Sequence, residues 1–502
     1  MRLPFPERIS FVYTFYFASA LCIAQLIEKT DPTFSLLSFL FILVAALAFN
    51  VCGGFTRPSG SYVFFFATLC FIIGVTWKAI LGEPAESNLQ APLLTMSIYL
   101  GCMTSMLAAA VISRKLTRTR PILGNLINEQ NVQRATVGCL VVGLGLTICL
   151  MVLPTGSGSV LSALNQMNQF LPLAMILGTI HAIRRSGGTK AFSFPVLVAG
   201  SFMFLQGIFG FSKQGIFTPF VCWMLAASSQ RYRITVKQII LGAVAVFLSF
   251  HYLVPYSQYG RTFREESIST NLKVAFGLMS HLGDVRELYL QTVEDNASEY
   301  QYSWYNTPQG FFERLQSVTI DDALIANKSK SSFAGYGPLE EDFLNLIPHF
   351  IWKSKPISNQ GNGYAHDIGI LADDDTTTGV SFSPAAEAYV LMGWTSIILV
   401  APALWIALFT VFDSLCGDTR QAPWGLLVAL LYAHNAPEGG LGGIVYMLGY
   451  TVIGIVFAAL TAAYLMPVIG TFLIGPEGIF IKRAAPIRAI PNRLATAPTP
   501  ES

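Results

Sequence analysis

Tyr256-Ser257-Gln258-Tyr259-Gly260-Arg261-Thr262-Phe263-Arg264 opens the one long stretch of this chain, residues 255–383, that holds no membrane-spanning run. The stretch ends with Ile347-Pro348-His349-Phe350-Ile351-Trp352-Lys353-Ser354-Lys355-Pro356 and an acidic patch, Asp373-Asp374-Asp375. Outward from it, in both directions, the sequence turns apolar. Over the whole chain 53% of residues are hydrophobic, 12% are charged and the mean hydropathy is +0.53. A soluble domain carries roughly 25% charged residues. The composition therefore predicts an all-α polytopic membrane protein with one large, partly helical loop outside the bilayer.

A spanning helix needs about 20 mostly apolar residues. Twelve stretches qualify, at roughly 9–27, 33–52, 61–81, 91–112, 135–153, 160–183, 192–210, 214–229, 235–254, 384–412, 421–436 and 444–466. The eighth is short and the eleventh only weakly apolar. Cytoplasmic loops collect Lys and Arg. Here Arg114, Lys115, Arg118, Arg120 and Arg134 follow the fourth stretch, and Arg184, Arg185 and Lys190 follow the sixth. Arg231, Arg233 and Lys237 follow the eighth, and Lys482, Arg483, Arg488 and Arg493 lie in the tail. All follow even-numbered spans. That places both termini in the cytoplasm and the long loop on the external side. The loop's nine Lys/Arg against seventeen Asp/Glu, a net of −8, agree.

The predicted organisation is spans one to nine over 1–254, the external loop over 255–383, and spans ten to twelve over 384–474. A tail over 475–502 follows, Pro/Ala-rich in its last part and read as disordered. The N-terminus lacks a small-residue cleavage site, so its first apolar run reads as an uncleaved span. None of the eight cysteines falls in 255–383, which rules out a disulfide framework there, and no metal-ligand spacing occurs. Neither a phosphate-binding Gly-Lys-Ser/Thr loop nor a dinucleotide fingerprint is present, so no cofactor is predicted. The basic residues flank membrane spans, which argues against nucleic acid as a partner.

Within the loop, Val274, Leu278, Leu282, Val285, Tyr289 and Val293 fall on one face of a predicted helix over 272–293. That face suits packing on the loop's own core, or a helix resting on the membrane boundary. Residues 294–310 read as irregular and 311–326 as helical.

Cations gather at the external membrane edge: Lys213 between spans seven and eight, Arg261 and Arg264 just after span nine, then Arg314, Lys353 and Lys355. Guanidinium and ammonium groups so placed suit a lipid pyrophosphate, holding the charge that develops on a leaving group. The plainer reading of any one of them is headgroup anchoring. His349 has the chemistry of a base that activates a hydroxyl near neutral pH. Glu387, just inside span ten, is costly there unless paired or hydrated, which points to a functional site, the plainer reading being a simple interfacial charge. It suits either a partner for a loop arginine or the base itself. His281, the pair His366-Asp367, and His434 with Glu438 are further candidates. The glycines after Glu438 predict a broken helix end.

With these residues in view, the chain resembles the Wzy-type O-antigen and exopolysaccharide repeat-unit polymerases, relatives in fold of the O-antigen ligases. The resemblance rests on span number, on the long external loop before the last three spans, and on three short patterns. Ile347 to Pro356 is similar to the family's Ile-Pro-Arg-x-x-Trp-Pro-x-Lys-Pro signature. Ala386-Glu387-Ala388-Tyr389 followed by Gly393-Trp394 is similar to its Glu-x-Tyr before a Gly-containing helix. Ser212-Lys213 stands where many members have Ser-Arg. The chain departs from the family in having His349 in place of arginine and Lys353 in place of proline.

The resemblance implies a glycosyltransferase that polymerises undecaprenyl-pyrophosphate-linked oligosaccharide repeats at the periplasmic face of a bacterial inner membrane. Arg261, Arg264 and Lys213 would hold the pyrophosphate, with Arg314 and Lys355 in support. Glu387 or His349 would orient or deprotonate the acceptor hydroxyl, and Trp304, Tyr305 and Trp352 would suit sugar stacking or the loop core. The partners of such a role are the lipid-linked saccharide and membrane lipid, with a chain-length regulator and a flippase as protein partners it allows. Two other readings fit the same pattern: a ligase making one glycan transfer, and a non-enzymatic polysaccharide transporter or export component.

Overall fold

The computed structural model describes residues 1–152, 168–263, 268–296, 303–307, 309, 312–348, 351–352, 354–355, 359–371, 374–376 and 378–475. Among these the chain is helical, with no strand beyond a lone antiparallel bridge between Arg2 and Arg233. The apolar helices are α1 (Phe11–Ile27), α2 (Pro32–Cys52), α3 (Pro58–Leu81), α4 (Pro92–Leu116), α5 (Glu129–Val152), α6 (Phe170–Arg185), α7 (Phe194–Phe209), α8 (Lys213–Ser229) and α9 (Val236–Arg261). The segment predicted as the external loop contributes α10 (Ile268–Met279), α11 (Leu282–Asn296), α12 (Val318–Lys330), α13 (Gly337–Asn345) and α14 (Gln360–Asp367). The chain then returns through α15 (Pro384–Met392), α16 (Ser396–Cys416), α17 (Pro423–Glu438) and α18 (Gly440–Ile474). Seven of these, α2, α3, α4, α5, α9, α16 and α18, are long and apolar enough to cross a membrane, and α1 and α7 are shorter apolar helices. The protein is a polytopic helical membrane protein.

Local sequence explains many boundaries. Asp31 caps α2, accepting the N–H groups of Thr33 at 2.8 Å and Phe34 at 3.0 Å, with Pro32 in the first turn. Proline also opens α3, α4, α15 and α17. Five π-turns interrupt the long helices, one each in α3, α9 and α16 and two in α18. Each displaces a backbone carbonyl that needs another partner.

The main core is built where α2 packs on α4, α4 on α16, and α3 on α17. Tyr62, Tyr99, Trp405 and Trp424 are buried in it. A smaller core joins Phe211, Tyr256, Ala275 and Val285, where α10 and α11 cover the α7–α8 turn and the end of α9. The helix predicted over 272–293 is thus two helices broken at Ser280-His281. Its apolar face (Val274, Leu278, Leu282, Val285) packs inward, as the core reading of that face requires.

Candidate functional site

The described residues of 303–383 pack on one end of the bundle, hereafter the loop face. Arg57, Arg114, Arg184 and Arg420 sit at the opposite, basic face. At the loop face α17 ends at Glu438, and the chain turns through Gly439 and Gly440 into α18. Gly440 has φ +60°, and a Cβ there would overlap the Glu387 carboxylate. The predicted broken helix end is this junction. Glu387 is half-buried in the first turn of α15, and its Oε2 accepts the Leu441 N–H at 2.6 Å. The carboxylate therefore lies on the N-terminus of α18, where unsatisfied amides and the helix dipole favour negative charge. Among the described residues no loop arginine meets it there.

A second carboxylate reaches the same turn. A Cβ on Gly442 would lie 2.8 Å from Asp342 Oδ1, so the α13 side chain presses on the backbone two residues beyond Gly440. Gln360 of α14 donates to Asp342 Oδ1 at 3.2 Å and to the Pro338 carbonyl at 2.6 Å. Burial, with Glu341 next to it, pushes the Asp342 carboxyl up to about 7 despite the Gln360 hydrogen bond. Two glycines thus let two acids from different elements meet one helix end.

Asp321 and Asp322 of α12, both buried, fasten this layer to the membrane helices. Asp321 accepts the Tyr99 hydroxyl and, at 3.0 Å, the Ser383 N–H at the start of α15. Burial raises its carboxyl to about 6, against the hydrogen bonds that favour ionisation. Asp322 accepts the Gln90 N–H, the Ala91 N–H at 3.1 Å and the Thr95 hydroxyl at 2.7 Å, capping α4.

The cations divide. Arg261, the last residue of α9, donates from Nε to the Phe211 carbonyl at 3.3 Å. It thereby docks on the turn whose next helix begins with Lys213. Gly260 allows this approach, because a Cβ there would overlap the Phe211 ring. Lys355 acts elsewhere. Its ammonium donates to the carbonyls of Asn345 at 3.1 Å and Ile347 at 2.8 Å, closing the end of α13. Arg264, His349 and Lys353 lie outside the described residues, as does the Arg314 side chain in the turn Phe312–Leu315. Arg261 and Glu387 border different cores, the smaller and the main one.

The other candidates are held in separate contacts. His366 meets the Asp375 carbonyl at 2.8 Å, while Asp367 pairs with Lys328 at 2.8 Å, so His366-Asp367 is not a mutually oriented pair. His281 lies against Ser280 and Gly277. His434 and Glu438 pair at 3.2 Å on the last turn of α17. Trp304 and Tyr305 are buried, and Trp304 donates to the Ala85 carbonyl at 2.8 Å, so both serve the core and not a sugar face. Trp352 donates to the Ser354 hydroxyl at 3.1 Å. Among the described residues no group of three His, Cys, Asp or Glu side chains is placed to hold a metal ion.

Sequence reading passes over Asp342, Asp321 and Asp322. Two signals stand near them: the acidic run Glu340-Glu341-Asp342, and Gly439-Gly440-Leu441-Gly442-Gly443, whose glycines admit close neighbours. No family model matches the chain, and no curated protein or solved structure matches it.

Proposed function

We propose that this protein is a repeat-unit polymerase of Wzy type. In this reading it has twelve spans, cytoplasmic termini and a periplasmic loop over 255–383, and it works in a bacterial inner membrane. The observation that carries the reading is the docking of Arg261 on the turn that leads into Lys213. In this reading Arg261 and Lys213, brought in from separate segments, meet a lipid pyrophosphate at that turn. The signature-like stretch 347–356 and the Glu387 pattern add to it.

The reaction breaks the bond between the anomeric carbon and the pyrophosphate oxygen of one lipid-linked glycan. A hydroxyl of a second lipid-linked unit forms the new glycosidic bond. The pyrophosphate leaves with the electron pair, and Arg261 and Lys213 stabilise its charge. The hydroxyl proton passes to a carboxylate and then to solvent. Glu387, which already accepts a backbone N–H, positions the α17–α18 junction. Asp342, held near 7 beside it, is the better matched proton acceptor.

The test is purified protein in liposomes with a lipid-pyrophosphate oligosaccharide, the products resolved by size. A ladder of multiples supports polymerisation. A single transfer to an added second acceptor replaces it with a ligase, and intact substrate with no covalent change favours a transporter or export component.

A further inference from the structure

The end of α1 meets the connection between α3 and α4 in a polar corner of the loop face. Gln25, in the last turn of α1, is 1% exposed, and among the described residues neither its amide oxygen nor its amide nitrogen has a partner. A buried amide is costly unless something satisfies it. Glu28 follows three residues later on the same helix face, and its Oε2 is also buried without a partner. Glu86 comes from the α3–α4 connection. Its Oε1 accepts the Asp31 N–H at 3.0 Å, which brings it to the α1–α2 turn, while its Oε2 is buried with no partner. A second tie runs alongside. Thr30 donates its N–H to the Gln25 carbonyl at 3.0 Å, and its hydroxyl accepts the Ala85 N–H at 2.9 Å.

The charge in this corner does not balance. Lys78 is fully buried, but its ammonium donates to the carbonyls of Pro84 at 3.0 Å and Ser87 at 3.1 Å and to the Ser87 hydroxyl. Those acceptors use all three of its N–H groups, and its ion-pair partner is Glu83, at 3.7 Å. Burial raises the Glu28 carboxyl while Lys78 acts against the rise, and the same ammonium acts on Glu86, so both acids lie within reach of one point. Asp31 is taken up in capping α2, and Lys29 is exposed. Glu28 and Glu86 are left as two half-buried carboxylates with no ion-pair partner among the described residues.

We propose that Glu28, Glu86 and Gln25 hold a divalent cation, Ca²⁺ by the chemistry of the donors. Carboxylate and amide oxygens are the hard ligands Ca²⁺ takes, and its adaptable geometry suits a set drawn from a helix end and a loop. Water completes its coordination and accepts the Gln25 amide N–H. The set has two acids, its third ligand being an amide. The cation would fix the corner on which the first described part of the 303–383 segment is seated. There the Trp304 indole donates to the Ala85 carbonyl at 2.8 Å, and Glu83 accepts the Asn306 N–H at 3.1 Å.

The experiment uses the purified full chain in detergent, stripped with a chelator and returned to CaCl₂ or to KCl of matched ionic strength. Equilibrium dialysis with radiolabelled calcium should show saturable binding, and the melting temperature should rise with CaCl₂ and not with KCl. Hydrogen exchange should slow with Ca²⁺ at residues 25–35 and 82–91. Absence of saturable binding, equal stabilisation by KCl, or slowing only in other segments overturns the site, and none of these needs a variant to fold. Glu86→Gln keeps an acceptor for the Asp31 N–H and loses the charge, and Gln25→Leu loses the amide oxygen. Each should weaken Ca²⁺ binding about tenfold, while Glu340→Gln, exposed on α13, leaves it unchanged. Undiminished binding in either of the first two overturns the assignment. These readouts do not involve turnover, so the site and the polymerase reading stand or fall separately.

Discussion

Glu387 Oε2 accepts the Leu441 N–H at 2.6 Å, tying the first turn of α15 to the first turn of α18. The same device recurs. Asp413 of α16 accepts the Ser59 N–H at 3.0 Å at the start of α3, and Asp322 caps α4. None of α3, α4 and α18 has a side-chain cap from its own N-cap residue. Buried helix ends need partners for their free N–H groups, and here carboxylates from distant helices supply them. These acids hold the bundle together.

Glu387→Ala removes the acceptor from Leu441 and is expected to destabilise the protein by about 2–3 kcal/mol. Glu387→Gln, which keeps an acceptor oxygen, should lose roughly half as much. Thermal unfolding in detergent gives the comparison. A loss no larger than that of the exposed control Glu340→Ala would remove Glu387 from this role.

For α12 the contrast is within one helix layer. Asp322→Ala strips acceptors from two N–H groups and the Thr95 hydroxyl, for an expected cost of about 2–4 kcal/mol. Asp367→Ala breaks only a partly exposed pair with Lys328 and should cost about 0–1 kcal/mol. Equal melting shifts for the two variants would contradict the capping account.

Asp342 makes a pH prediction. Its carboxyl is raised from an ordinary value near 4 to about 7, so the folded state favours the protonated form. Its contribution is full below about pH 4 and is lost as pH climbs through about 7. Asp342→Asn should flatten that fall and make the protein more stable than wild type by about 2–4 kcal/mol at pH 8. In the polymerase reading wild-type activity rises through about pH 7, and the Asn variant loses both the rise and about 10²-fold in rate. Unfolding curves and rate profiles from pH 5 to 9 measure both, and identical profiles for the two proteins would refute the assignment.

In the polymerase reading the cations separate by role. Arg261→Ala should lower polymerisation about 10²-fold after correction for the folded fraction. Lys355→Ala should lower melting, because it leaves the Asn345 and Ile347 carbonyls without their donor. Its intrinsic rate, corrected for the folded fraction, should stay close to wild type. Retained activity in Arg261→Ala would end the pyrophosphate assignment for that turn.

The positions of the apolar helices were legible because burial in lipid writes itself into composition. Long apolar runs have few other uses, and Pro32, Pro58, Pro92 and Pro384 mark helix starts locally. The inward face of α10 and α11 was legible for the same reason, since Val274 and Val285 repeat at helical spacing. The break at Ser280-His281 was not, because a helix pattern continues across it. The place of Glu387 at the edge of an apolar run marked it as unusual. Its partner, Leu441, lies 54 residues away and offers only a backbone N–H, a group every non-proline residue has. Nothing in the identity of Leu441 announces that contact. Asp342, Asp321 and Asp322 read as ordinary loop acids until the fold sets Asp342 against Gly442 and buries Asp321 and Asp322 against Ser383 and α4. Sequence alone determined that this chain is a helical membrane protein with one polar segment, because apolar surface and charge are properties of the residues. Tertiary structure alone decided which acids became helix caps and that Lys355 serves a turn, because hydrogen-bond partners and burial are set by how distant segments meet.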